Sequence, residues 1–355
     1  MTHRERFLAA MDYKPADRVP FWGFGAWPET VDRWIKEGYD PKKPEVIEDP
    51  KYWEGVWFDP NPPFEHKVME EDENTVTYIN HEGILLRERK DNPYSSMPQF
   101  IKFPVETREE FRAFWKERMD TGLAGRIGSD YAARLSALRE RDQPLIVGGS
   151  RWGGFFGPVR NLMGVENLCV AFHEDPSFVE EMFDACADFM IEIMKGILEY
   201  TDVDVFGFWE DMAYKTAPLI SPEMVRKFML PRYRRVVDYL TSRGVRLFAL
   251  DSDGEVSSLI PVWLDSGINI LYPFEVQCGM DVLKVRREYG RDLRIWFGAD
   301  KRCAARGKRE IDAEMARLEP LVRDGGYIPG QDHSFPPDTS YENYRYFMEK
   351  LYGIL

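Results

Sequence analysis

Seven short apolar runs separated by helical patterns constrain this chain more than any other feature. They are Val19–Gly25, Pro144–Ser150, Val203–Phe208, Val245–Leu250, Ile268–Tyr272, Leu293–Gly298 and Gly326–Gly330. Continuous apolar runs of this length suit strands covered on both faces, as in a parallel sheet. The stretches between them carry helix signals. Asp175-Pro176-Ser177 opens one with proline at a first helical position, and Phe178, Met182, Cys186, Phe189, Ile193 and Ile197 then recur every three or four residues. Ser221-Pro222-Glu223 repeats that start, and Thr339 to Glu342 has capping-box spacing ahead of the last helix. Strand and helix in alternation predict a parallel α/β architecture. Seven runs plus one unrecognised strand match a closed (β/α)8 TIM barrel, and an open doubly wound sheet is the other arrangement that spacing allows.

One stretch breaks the rhythm. About 40–107 is rich in Pro, Trp, Asp and Glu, and holds two runs, Thr75–Asn80 and Gly83–Arg89, that read as a small antiparallel hairpin. It is expected as an insertion after the first strand of a single domain spanning 1–355, a length that barrels of this class reach. Hydrophobic residues at 44% support a sizeable core, and no apolar run approaches the roughly 20 residues of a membrane span. Four cysteines without CxxC spacing and no apolar leader point to a reducing, cytoplasmic setting. A net charge of −14 with scattered Lys and Arg argues against nucleic-acid binding.

Chemistry in a barrel sits where strands end, and these ends are loaded with polar residues. The third run leads into Trp209-Glu210-Asp211 and on to Lys215, and the fourth into Asp251, Asp253 and Glu255. The fifth leads into Glu275 and Cys278, the sixth into Asp300, Lys301 and Arg302, the last into Gln331, Asp332 and His333. One such carboxylate alone is as well read as a helix cap. Five acidic strand ends on one rim would concentrate like charge, which calls for paired cations or a metal ion. His333 directly follows an apolar strand and can serve as ligand or acid/base, and Cys278 is either a zinc ligand or a small buried apolar group. Trp22, Phe24, Trp152, Phe155 and Trp209 cluster near the same loops. The glycines of Trp152-Gly-Gly-Phe-Phe-Gly would let backbone approach a flat or methylated substrate, and they match no phosphate-loop spacing.

Together these segments resemble the uroporphyrinogen decarboxylase superfamily. The likeness is carried by Arg4 to Met11, Asp17 to Pro20, Glu210 to Lys215, Leu219 to Met224 and Pro337 to Tyr344. The resemblance implies a (β/α)8 barrel acting either as a cofactor-free decarboxylase or as a zinc-dependent methyltransferase. Two departures separate these branches. Where the decarboxylases carry an arginine-rich RxAGR segment, this chain has Gly23-Phe24-Gly25-Ala26-Trp27-Pro28; where thiol-methylating members have an HxC pair and a later Cys, it has Asp251-Ser252-Asp253 and His333. The resemblance therefore implies methyl transfer from a small methylated donor, such as a methoxyaromatic, to a corrinoid on a partner protein. Zinc would be held among Asp253, Glu275, Cys278 and His333, and Glu210, Asp211, Lys215 and Asp251 would orient substrate or move the proton. A decarboxylase of a smaller substrate and a non-catalytic corrinoid-protein binding module stay open, as does homodimer formation.

Overall fold

A computed structural model describes residues 1–43, 48–92 and 97–355. Eleven strands are present among these residues: β1 (Tyr52–Glu54), β2 (Lys67–Glu71), β3 (Thr75–Ile79), β4 (Leu85–Arg89), β5 (Gln99–Lys102), β6 (Leu145–Gly148), β7 (Val205–Trp209), β8 (Leu247–Asp251), β9 (Ile270–Tyr272), β10 (Arg294–Trp296) and β11 (Tyr327–Ile328). Seven form one parallel sheet in the order β1-β6-β7-β8-β9-β10-β11. Helices between successive strands cover its outer face, the longest being Pro176–Leu198, which begins with Pro at its first position and Asp175 capping Phe178 N. The apolar runs thus form an α/β fold with a curled parallel sheet.

Alternation along the strands sorts the core into two clusters. Ile146, Val205, Leu247, Ala249, Ile270, Tyr272, Trp296 and Ile328 meet Phe7, Met11 and Trp22 on the concave face. Leu145, Val147, Phe206, Phe208, Phe248, Leu250 and Ile295 point the other way, into the helices. The curl is what lets residues from β6 through β11 share one interior with the first helix, His3–Met11.

One predicted strand is corrected. Val19–Gly25 is not a strand; its region joins the rest through an isolated bridge, Ala26 to Phe335, and Asp49 N donates to Phe21 O at 3.0 Å. Pro20 has no N–H for a ladder, and Gly25 at φ +71° leaves extended geometry. The seventh strand is instead Tyr52–Glu54, within the stretch expected as an insertion. The predicted hairpin is present as β3 and β4, in the register Thr75 opposite Arg89, and β2 and β5 extend it to a separate four-stranded antiparallel sheet. No helix among the described residues is long and apolar enough to cross a membrane.

Candidate active site

Register builds the site layer by layer. Trp53, Ile146, Val205 and Leu247 lie opposite one another in the lower layer. Above them stand Gly148, Gly207 and Ala249, a row almost without side chains. Gly148 holds φ +82°, and a Cβ there would lie 2.4 Å from Gly207 O, so only glycine fits. The next row, at the C-terminal strand ends, is Trp209, Asp251 and Tyr272. Small residues beneath large polar ones leave room at the mouth.

Among the described residues the Asp251 side chain has no hydrogen-bond partner. Removal from bulk water, and then the charges of Asp253 and Asp211, raise its pKa well above the carboxylate range. Asp211 is also raised, first by burial and then by Asp253, against the opposing pull of Arg160. Arg160 pairs with the Asp211 carboxylate and donates to Asp211 O at 2.6 Å, which holds Asp211 at φ +42°. Left-handed backbone in a non-glycine residue is uncommon, and Phe297 at +70° is a second case on the same rim. The Tyr272 hydroxyl is buried without a partner among the described residues. A Cβ on Gly149 would meet the Trp53 ring at 2.7 Å and that hydroxyl at 3.4 Å, so the two side chains converge over Gly149.

His333 lies between Phe24 (5.1 Å) and Trp27 (5.5 Å), stacked on both. Ser334 N donates to its Nδ1 at 2.8 Å, which leaves Nε2 to carry the proton toward Asp253 Oδ2, 3.6 Å away. Glu275 is engaged on both oxygens. Oε2 accepts from Gly254 N (3.1 Å) and the Cys278 thiol (3.5 Å), while Oε1 accepts from Gln277 (3.1 Å) and faces Lys301 Nζ at 3.7 Å. Burial and then Glu275 push the Cys278 thiol up to about 12, so it keeps its proton. The four expected metal ligands thus stand as two pairs, and among the described residues no three His, Cys, Asp or Glu side chains gather to hold a metal ion. As arranged they do not fit a zinc ion.

Other expected site residues sit elsewhere. Glu210 is completely buried: Oε1 accepts from Phe155 N (3.0 Å) and the Tyr233 hydroxyl (2.6 Å), and Oε2 from Gly157 N (3.1 Å). Burial pushes its pKa up to about 7 against those hydrogen bonds. It fastens the start of the helix Phe156–Met163. The glycines of that loop approach protein rather than ligand, since a Cβ on Gly154 or Gly157 would strike Trp209 O at 2.3 or 2.5 Å. Phe155 and Trp152 belong to the outer core, where the Trp152 indole donates to Glu82 at 3.1 Å. Trp22 forms the floor, Lys215 is exposed, and only Phe24 and Trp209 of the expected aromatic wall reach the mouth. Trp209 lies between the guanidinium groups of Arg151 (5.3 Å) and Arg160 (4.8 Å).

Sequence reading missed Trp53, because Tyr52-Trp53 is too short an apolar pair to mark a strand. It missed Tyr272 as a site residue although the strand ended on it. It also gave no role to Asp332, fully buried and accepting from Lys301 N (3.0 Å) and Val276 N (2.8 Å). Glu82, at the β3–β4 turn, holds Arg151 beside the mouth at 3.1 Å.

A family model described as uroporphyrinogen decarboxylase (URO-D) matches residues 129–353. The chain shares its fold with a methyltransferase from Methanosarcina mazei, at a TM-score of 0.59 and 15% identity, over 100% of this chain and 98% of that one. A B12-independent methionine synthase from Shewanella sp. W3-18-1 aligns over 62% of this chain and 64% of its own, at 13% identity and a TM-score of 0.39. No curated protein matches. With well over half of its length inside that model, the chain belongs to the uroporphyrinogen decarboxylase family.

Proposed function

We propose that this protein is a methyltransferase. It takes a methyl group from a small methylated substrate in the mouth and passes it to an acceptor presented from solvent, a corrinoid carried by a partner protein. The observation that carries the reading is the Trp209–Asp251–Tyr272 row above the Gly148–Gly207–Ala249 layer: large side chains and an acid with no partner among the described residues stand over a row almost without side chains. Family membership and the fold shared with a methyltransferase support it.

Methyl transfer is a displacement in which the carbon–heteroatom bond breaks as the carbon–acceptor bond forms, the electron pair leaving on the heteroatom. Aromatic side chains around the space exclude water and hold the methyl group in line. When the heteroatom is oxygen, as in a methoxyaromatic donor, protonated Asp251 supplies the proton to the departing oxygen. The expected zinc ligands are arranged as two pairs, so no step is assigned to an ion. Decarboxylation is less well served, because a substrate carboxylate needs cations and those nearby are engaged: Arg160 with Asp211, Arg151 with Glu82, Lys301 beside Glu275.

An anaerobic assay with a Co(I) corrinoid and panels of methoxyarenes and methylated amines tests the proposal. Methyl–cobalt absorbance that appears with wild type and falls at least roughly a hundredfold in Asp251→Asn supports it. Carbon dioxide release from a carboxylated substrate, with no methyl transfer from any donor, would replace it with the lyase reading.

A further inference from the structure

We infer that the mouth selects a methylated ammonium ion, its charge facing Asp251 and Asp253 and its methyl groups resting on aromatic rings. The inference rests on the methyl-transfer reading and names the donor class.

Charge balance at the rim carries the first part. Asp211 has Arg160, Glu82 has Arg151, Glu275 faces Lys301, and Asp300 holds Arg302 at 2.7 Å. Among the described residues Asp251 has no partner, and the Asp253 carboxylate meets only the His333 ring. Asp251 and Asp253 lie two residues apart at the rim, and a bound cation stabilises the charged forms of both. The Tyr272 hydroxyl is an independent sign of a ligand. It is 5% exposed, without a partner among the described residues, and adjoins Asp251 in register, so a bound ligand would complete its hydrogen bonding.

The rings carry the second part. Trp53 lies over Gly149 and is 37% exposed, large for an aromatic side chain on the concave face of a sheet. Phe24 and Phe297 pack at 4.8 Å on the rim, with His333 stacked on Phe24. Ring faces attract a quaternary ammonium, whereas a neutral isostere gains only apolar contact. The chemistry closes without help. The C–N bond breaks with its electron pair staying on nitrogen, which becomes a neutral amine, and the pair of a reduced corrinoid or a thiolate forms the new bond to carbon. A neutral amine leaves without a proton or a Lewis acid, in keeping with metal-ligand residues that stand only in pairs.

Calorimetric titration of the full chain with choline and with 3,3-dimethyl-1-butanol, which replaces the charged nitrogen by carbon, tests this. Choline should bind at least roughly tenfold tighter. The Asp251→Asn/Asp253→Asn double variant should erase that preference while keeping its circular dichroism spectrum, and Trp53→Ala should weaken choline binding. Equal affinity for the two compounds, or binding of neither, overturns the inference. Methyl transfer from methoxyarenes alongside equal affinity would remove the ammonium donor and leave methyl transfer standing. Tight choline binding without transfer from any donor would uphold the site and remove the transfer.

Discussion

Asp251 and Tyr272 stand opposite each other at the ends of adjacent parallel strands, and among the described residues neither side chain has a hydrogen-bond partner. Burial, and then the charge of Asp251, raise the Tyr272 pKa, so the two side chains are electrostatically joined. Buried polar groups are mostly paired, so a neighbouring acid and hydroxyl left open at strand ends mark a place for a ligand.

Asp251→Asn should therefore raise stability at neutral and higher pH. The folded-state pKa of Asp251 is raised, so its stabilising contribution is present below the ordinary aspartate range and is lost as pH rises through the folded value. Asparagine removes that loss. Thermal unfolding at pH 8 should show a Tm higher by about 2 °C or more. A lower Tm would mean that the carboxylate has a structural partner.

Glu210 should behave as a structural group. Its two oxygens accept from Phe155 N, Gly157 N and Tyr233, so Glu210→Gln turns an NH2 group against N–H donors and should cost about 2–4 kcal/mol in a denaturant titration. Because its folded pKa is near 7 and its unfolded value is lower, wild-type stability should fall as pH rises from about 4.5 through 7. That fall should be shallower in Glu210→Gln. A stable variant without activity would instead make Glu210 catalytic.

Glu82→Ala should detach the antiparallel sheet from the mouth. It strips Arg151 of its carboxylate and leaves the buried Trp152 indole N–H unpaired, about 1–3 kcal/mol. Limited proteolysis should cut the β2–β5 region faster than in wild type, while the parallel sheet stays protected. An unchanged digestion pattern would show that Glu82 does not anchor it.

Zinc content discriminates between two arrangements of the same side chains. Two separate pairs predict well under one zinc per chain after purification without an affinity tag, unchanged by His333→Ala. About one zinc per chain, lost in that variant, would mean that Asp253, Glu275, Cys278 and His333 close around an ion, and would restore a metal-assisted step.

Much of this protein was determined by sequence alone. Uninterrupted apolar runs can be buried only on two faces, so parallel α/β architecture followed, and six of seven runs are strands of the curled sheet. The polar residues after those runs were legible for the same reason, since a strand that ends in the core must end its apolar run where solvent begins. Asp211, Asp251, Asp253 and His333 all follow such runs.

Tertiary structure decided which of them meet. Register across β7, β8 and β9 places Trp209, Asp251 and Tyr272 in one row, and spacing along the chain carries no information about registers between strands. The same holds for Trp53, whose three-residue strand exists because β6 offers it a free edge. Glu210 and Asp211 are neighbours in sequence, yet one is locked under a helix and the other faces the mouth, because the backbone turns to φ +42° between them and the acids beyond. Local sequence sets which residues are polar; the direction each one faces is a property of the packed sheet.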